Sequence, residues 1–343
     1  MVHESLISCI GKTPLIYLNR LFPQETMHVI AKLEFLNPIG SVKDRPAQFI
    51  IEQGLQAGSI RSDTHLIESS SGNLGIALAM VARIYGLQFT CVVDPKTTPN
   101  NLRILKQSKA NIEIVVEPDD QGGYLKTRLQ RVQELLQTIP NSYWINQYAN
   151  PLNCQAHYCS TGREILEDID GPIDCLVASV STTGTILGTA RRLRQKFPRL
   201  RVVAVDAVGS VIFDTPPGPR EIPGYGASRI PELLCRDEID DVIYISDWEA
   251  VQGCRALVAH EGILAGGSSG AVVAAIQKLL PSFPTTYRIV TLLPDRGERY
   301  LDLIYSDTWV AQHCKPTSPS LFTQAERFDG LGTQEHSSAA PHV

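Results

Sequence analysis

Residues 175–194 read CLVASVSTTGTILGTARRLR. The first six are an apolar, partly β-branched run, the next five are hydroxyls around one glycine, and the rest carry helical spacing. This is strand, loop, helix, and the pattern recurs along the chain. The spacing predicts strands over 65–68, 88–93, 112–116, 175–180, 202–206, 242–245 and 289–293. It predicts helices over 44–57, 74–85, 100–108, 122–137, 153–168, 184–197, 248–260 and 269–280. Strands that are almost continuously apolar and alternate with helices predict an α/β protein with a mostly parallel sheet covered on both faces. Ligands in such folds collect where strands run into helices, so the strand-to-helix loops are where chemistry is expected.

Composition excludes several classes. The 343 residues hold 31 Lys and Arg against 36 Asp and Glu, a formal charge of −5, without the basic blocks that phosphate neutralisation on nucleic acid requires. No apolar stretch approaches the roughly 20 residues that span a bilayer, and the run Ile76–Ile84 is broken by Arg83. Met1-Val2-His3-Glu4 lacks the basic start and apolar centre of a secretory signal, so a cytoplasmic enzyme is expected. The eight cysteines form no Cys-x-x-Cys pair. Cys154 and Cys159 flank His157, but no second pair completes a zinc set, and reduced structural thiols are the expectation.

Four loops carry the chemistry. In Asn37-Pro-Ile-Gly-Ser-Val-Lys43-Asp-Arg45, Ser41 is expected to cap the following helix, which sets Lys43 where the helix dipole lowers an amine's pKa and suits it to Schiff-base chemistry. Taken alone, this loop reads more simply as a surface lysine beside Asp44. Ser69-Ser70-Ser71-Gly72-Asn73 exposes backbone N–H groups at a helix start, an anion site or a plain N-cap cluster. Ser181-Thr182-Thr183-Gly184-Thr185 forms a cradle for a terminal phosphate. Without Gly-x-Gly-x-x-Gly after a strand, or a Gly-Lys-Ser/Thr loop, that phosphate belongs to a ligand smaller than ATP or NAD. Gly266-Gly267-Ser268-Ser269-Gly270 allows close approach of something flat, with a hydroxyl to meet a ring nitrogen.

In this order the four loops, followed by Gly297-Glu-Arg-Tyr-Leu301, resemble the pyridoxal-phosphate enzymes of the cysteine synthase family, over about residues 6–310. The resemblance implies a tryptophan synthase β-like fold (fold type II), with two three-layer α/β/α lobes and mostly parallel sheets. Residues 42–146 would form a small mobile lobe closing on a large cofactor-binding lobe of 1–41 plus 147–315, with 316–343 a flexible tail. It implies a homodimer acting on small amino-acid substrates. Carried over, Lys43 would hold pyridoxal 5'-phosphate covalently and act as general base. Asn73 would bond the ring oxygen, Ser181, Thr182, Thr183, Gly184 and Thr185 the phosphate, and Ser268 the pyridine nitrogen. Ser70, Ser71 and Gly72 would grip the substrate α-carboxylate with Gln147. The implied reaction is a ping-pong β-replacement through an aminoacrylate.

The chain departs from the family pattern at informative places. Ser181 and Thr183 stand where glycines are usual, Tyr148 where phenylalanine is common, and Ser228-Arg229 where the family has glycine and phenylalanine. Each departure adds a polar group, and a sulfide nucleophile needs none. With Pro294-Asp-Arg-Gly297 and 206–213, they resemble the branch that joins O-phospho-L-serine to L-glutamate, releasing phosphate, on the 2,3-diaminopropionate route to siderophores. Tyr148, Arg128 and Arg229 are then candidates for the second substrate, although Arg128 also reads as an exposed helix arginine and Arg229 as half of a structural ion pair. A cysteine synthase taking sulfide, with O-acetylserine or O-phosphoserine, is the near alternative. A non-catalytic cofactor-binding regulatory partner is the alternative of another class, and the absence of haem and regulatory segments speaks against a cystathionine synthase.

Overall fold

The computed structural model describes residues 2–23, 28–120, 122–316 and Phe322. The chain runs β1 (Leu15–Tyr17), β2 (His28–Leu33), α1 (Asp44–Ala57), β3 (His65–Ser69), α2 (Asn73–Ile84), β4 (Gln88–Val93), α3 (Pro99–Gln107), β5 (Asn111–Ile114), α4 (Leu125–Thr138) and β6 (Ser142–Trp144). It continues through α5 (Pro151–Cys159), α6 (Thr161–Asp168), β7 (Cys175–Ser179), α7 (Gly184–Arg194), β8 (Arg201–Ala207), β9 (Asp241–Ile245), α8 (Asp247–Ala256), α9 (Gly267–Leu279), β10 (Arg288–Leu293) and α10 (Asp307–His313).

Two sheets result. The larger has strand order β1-β2-β10-β7-β8-β9 and is parallel except for the edge strand β1. The smaller, β5-β4-β3-β6, is wholly parallel, and its strands all lie between residues 65 and 144. Side chains alternate across the larger sheet with the period of two that a strand imposes. Val29, Ala31, Val177, Val203, Val205 and Ile289 face α8 and α9, whereas Ile30, Leu176, Ala178, Val202, Ala204 and Val290 face α5, α6 and α7. In the smaller sheet Leu66, Phe89 and Cys91 pack on α1 and α2, and Ile67 and Val92 on α4. Both sheets are therefore the middle of three layers.

Several elements differ from the expectation. The helix expected over 153–168 is two helices, broken at Ser160, whose hydroxyl donates back to Ala156 O at 2.6 Å. The helix over 248–260 ends α-helical at Ala256 and finishes as a π-turn over Leu257–Glu261. β1, β2, β6 and α10 were not expected. β2 carries Lys32 fully buried in its middle, where Glu164 takes its charge at 2.9 Å and Thr13 O accepts from its ammonium at 2.5 Å. Glu164 also pairs with Arg45 at 2.6 Å, and Arg45 with Glu34 at 2.7 Å. This buried ionic cluster ties β2, α1 and α6 together beneath the Lys43 loop. The expected tail, 316–343, lies outside the described residues apart from Pro316 and Phe322, which packs against the core of the larger sheet.

Candidate active site

The carboxyl ends of β7 and β10 meet the start of α2 at a cleft of about 550 Å³, counting the part open to solvent. Lys43, Asn73, Ser181, Thr182, Thr183, Thr185 and Ser268 all line it, from four separate loops. Gly184 follows as the first residue of α7, and Ser268 stands in the first turn of α9.

Lys43 occupies the cap position of α1. The expected cap, Ser41, does not cap the helix. Its hydroxyl instead accepts from the Lys43 backbone N–H at 3.2 Å, while Asp44 accepts from Ile39 N–H at 2.7 Å and closes the loop on itself. Burial lowers the Lys43 ammonium to about 8, and the charges of Asp295 and Glu34 oppose that shift. About a tenth of such an amine is unprotonated at pH 7, far more than of an ordinary lysine near 10.5, which favours nucleophilic and general-base work.

The hydroxyl loop is held from behind. Asn153 on α5 donates to Thr182 Oγ1 at 3.1 Å and to Gln147 O at 2.9 Å. It lies so close to α7 that a Cβ on Gly184 would sit 2.6 Å from its side chain. Thr183 has φ +65°, a left-handed conformation that a β-branched residue adopts only under constraint. Its side chain is buried, and its hydroxyl donates to Thr182 O at 2.7 Å. This turn precedes the N-terminus of α7, where unpaired N–H groups favour an anion.

At the other end, Asn73 is fixed on both sides. Its Nδ2 donates to Asp295 Oδ2 at 2.7 Å, and its Oδ1 accepts from Arg299. Asp295 also accepts from the Tyr300 hydroxyl, while its Oδ1 is buried without a hydrogen-bond partner. Burial raises the Asp295 carboxyl, and Tyr300, Asn73, Arg299 and Lys43 act in the opposite sense. Sequence reasoning gave Asp295 no role. The only signal was its place in the Pro294–Gly297 motif.

The remaining candidates are not among the residues that line this cleft, although Tyr148 touches one of them, Ser181. Ser70 Oγ accepts from Gly75 N–H at 3.1 Å, and Ser71 O from Asn101 Nδ2 at 3.0 Å, so the turn before α2 is braced with Gly72 at its cap. Gln147 Nε2 reaches Ser69 O at 3.4 Å. Tyr148 is hydrogen-bonded to Ser181 and raised by burial, with Arg128, Arg229 and Arg220 all acting to lower it. Arg229 covers the Tyr148 ring at 5.0 Å and is ion-paired with Glu232. Arg128 is largely buried, 3.3 Å from Asp94 through one nitrogen.

A primary amine of lowered pKa opposite a phosphate-sized cradle suits a small phosphorylated aldehyde. That is the requirement of pyridoxal 5'-phosphate, and the residues fit it: Lys43 would meet the aldehyde and the α7 cradle the phosphate, with Ser268 and Asn73 lining the same cleft. The fold and site are those of a fold type II pyridoxal-phosphate enzyme. The chain belongs to the pyridoxal-phosphate-dependent enzyme family, whose model matches residues 6–295. It is 61% identical over 312 residues, 91% of this chain and 92% of the relative, to an N-(2-amino-2-carboxyethyl)-L-glutamate synthase of Ralstonia nicotianae. Among solved structures it is similar to the O-acetylserine-dependent cystathionine β-synthase of Helicobacter pylori, at 35% identity with a TM-score of 0.82 over 89% of this chain and all of that one. An O-ureido-L-serine synthase is similar at 31% identity and a TM-score of 0.82, over 91% of this chain and all of that one. The protein is a pyridoxal-phosphate-dependent enzyme of β-replacement type.

Proposed function

We propose that the enzyme joins O-phospho-L-serine to L-glutamate, forming N-(2-amino-2-carboxyethyl)-L-glutamate and phosphate on a route to 2,3-diaminopropionate and siderophores. The observation that carries this reading is Arg128. Its Nη1 is ion-paired with Asp94 at 3.3 Å, its Nε is buried without a hydrogen-bond acceptor, and its charge reaches Tyr148. A buried guanidinium with an unsatisfied donor suits a further carboxylate acceptor. The Tyr148 and Ser181 hydroxyls add polar groups beside the cofactor cradle, and Arg229 acts through the Tyr148 ring. The named activity of the Ralstonia relative supports the same reading.

The bound cofactor supplies the electron sink for loss of the β-substituent. Around it, the N–H groups near Ser70, Ser71 and Gly72 hold the α-carboxylate of the first substrate, with Gln147 beside them. Lys43 Nζ takes the α-proton, its lowered pKa matching that work. Asn73, fixed by Asp295 and Arg299, orients the ring, and the neutral Ser268 hydroxyl leaves the pyridine nitrogen largely unprotonated. Arg128, Tyr148 and Ser181 then hold the incoming glutamate. In this reading residues 42–146 close over the larger lobe, and the family resemblance supports a homodimer in the cytoplasm.

Phosphate release from O-phospho-L-serine tests the reading. Sustained turnover with glutamate supports it. Turnover with sulfide alone makes the protein a cysteine synthase, and release of no phosphate with either removes the proposed donor.

A further inference from the structure

His157 stands out in the sequence between Cys154 and Cys159, but neither thiol is its partner in the hydrogen bonds it makes. It lies on α5, fully buried, with Nδ1 2.9 Å from Thr161 Oγ1 and Nε2 3.2 Å from Thr185 Oγ1. Both ring nitrogens are thus occupied by hydroxyls. The close approach of α5 to α7 makes this possible: a Cβ on Gly188 would fall 2.1 Å from Cys154 O and 2.9 Å from His157 Cβ. Burial, helped by the charges of Lys43 and Arg45 and opposed by Glu164, keeps the imidazole neutral through the working range.

A neutral imidazole has one donor and one acceptor, so the chain Thr161–His157–Thr185 has a direction. In one tautomer Nε2 accepts, and the Thr185 hydroxyl hydrogen is turned back into the protein. In the other, Nε2–H donates to Thr185 Oγ1, Thr161 donates to Nδ1, and the Thr185 hydrogen is free to point into the cleft that Thr185 lines. An anion in that cleft selects the second arrangement.

We propose that His157 is a positioning residue for the phosphate cradle, donating from Nε2 to Thr185 and aiming the Thr185 hydroxyl at the cofactor's phosphate. This rests on the reading that Ser181–Thr185 holds that phosphate. The Thr161 hydroxyl, which can donate or accept, completes the hydrogen bonding of the ring on its far side and donates to Nδ1 in this arrangement.

The test measures the pyridoxal 5'-phosphate dissociation constant of holoenzyme variants, with the phosphorus-31 shift of the bound cofactor as a second readout. A hydrogen bond to a charged group implies about tenfold weaker binding for Thr185→Val, and a similar loss for His157→Phe. The double variant is expected within twofold of Thr185→Val, because the two act through one bond. His157→Gln, which keeps an N–H near the Nε2 position, stays within about threefold of the parent. Losses that multiply in the double variant, or parent affinity in His157→Phe, overturn the proposal. Parent affinity in Thr185→Val instead removes the phosphate reading and the proposal with it. Should His157→Phe fail to fold, His157→Leu decides: binding several-fold weaker only while Thr185 is intact supports the relay, and unchanged binding overturns it.

Discussion

Asn73 Nδ2 donates to Asp295 Oδ2 at 2.7 Å, joining residues 222 apart in sequence. Asn73 begins α2, fed by the smaller sheet, and Asp295 follows β10 of the larger one, so the bond crosses the cleft between the two sheets. Asp295 is also the chief charge raising Lys43 against the effect of burial. One carboxylate thereby acts on both the Asn73 amide and the Lys43 amine.

Asp295→Asn removes that charge, and the Lys43 pKa falls further below about 8. Labelling of Lys43 by an amine reagent in the cofactor-free protein is expected to become several-fold faster at pH 7. Equal or slower labelling contradicts the assignment.

Lys43→Ala is expected to abolish covalent cofactor attachment and to reduce turnover by at least a thousandfold, while the melting temperature stays near that of the parent. Borohydride reduction followed by mass measurement checks the first, and turnover at the parent rate sinks the catalytic role.

Tyr148→Phe with Ser181→Gly, and separately Arg128→Gln, should raise the KM for glutamate tenfold or more. Single-turnover phosphate release from O-phospho-L-serine should change less than threefold. Equal loss in both half-reactions would point to disturbed cofactor placement instead of second-substrate binding.

From these two groups stability should decline on both sides of about pH 4.5, for opposite reasons. The ion pairs with Arg45 and Lys32 hold buried Glu164 at about 2, against an ordinary 4.5, so its contribution is present above pH 4.5 and lost as pH falls toward 2. Burial raises Glu68 to about 8, so the stability linked to its neutral form is present below pH 4.5 and lost as pH rises toward 8. Denaturant titrations of Glu68→Gln should show a flatter stability profile than the parent between about pH 4.5 and 8. Arg45→Met, which strands Glu34 and Glu164, should cost about 3–5 kcal/mol at pH 7.

The parallel strands over 88–93, 175–180 and 289–293 were legible because burial on both faces writes them as apolar runs. β2 was not, because Lys32 interrupts its run and only a tertiary partner 132 residues later makes that charge tolerable. β6 is three residues long and carries no period. The four site loops could be read because each holds its chemistry in consecutive residues. Asn153, His157 and Asp295 could not, since their parts depend on which helix or loop the fold sets against the cradle and against Asn73. Thr183 could be seen as a departure from glycine, but only the backbone reveals its left-handed conformation.

The central claim is that this site passes a three-carbon unit from O-phospho-L-serine to the nitrogen of glutamate. The most direct measurement is the mass spectrum of the product formed from O-phospho-L-serine and nitrogen-15-labelled L-glutamate. The account predicts one labelled N-(2-amino-2-carboxyethyl)-L-glutamate for each phosphate released. Phosphate released without incorporation of the label, or cysteine as the only product when sulfide is also supplied, would contradict it.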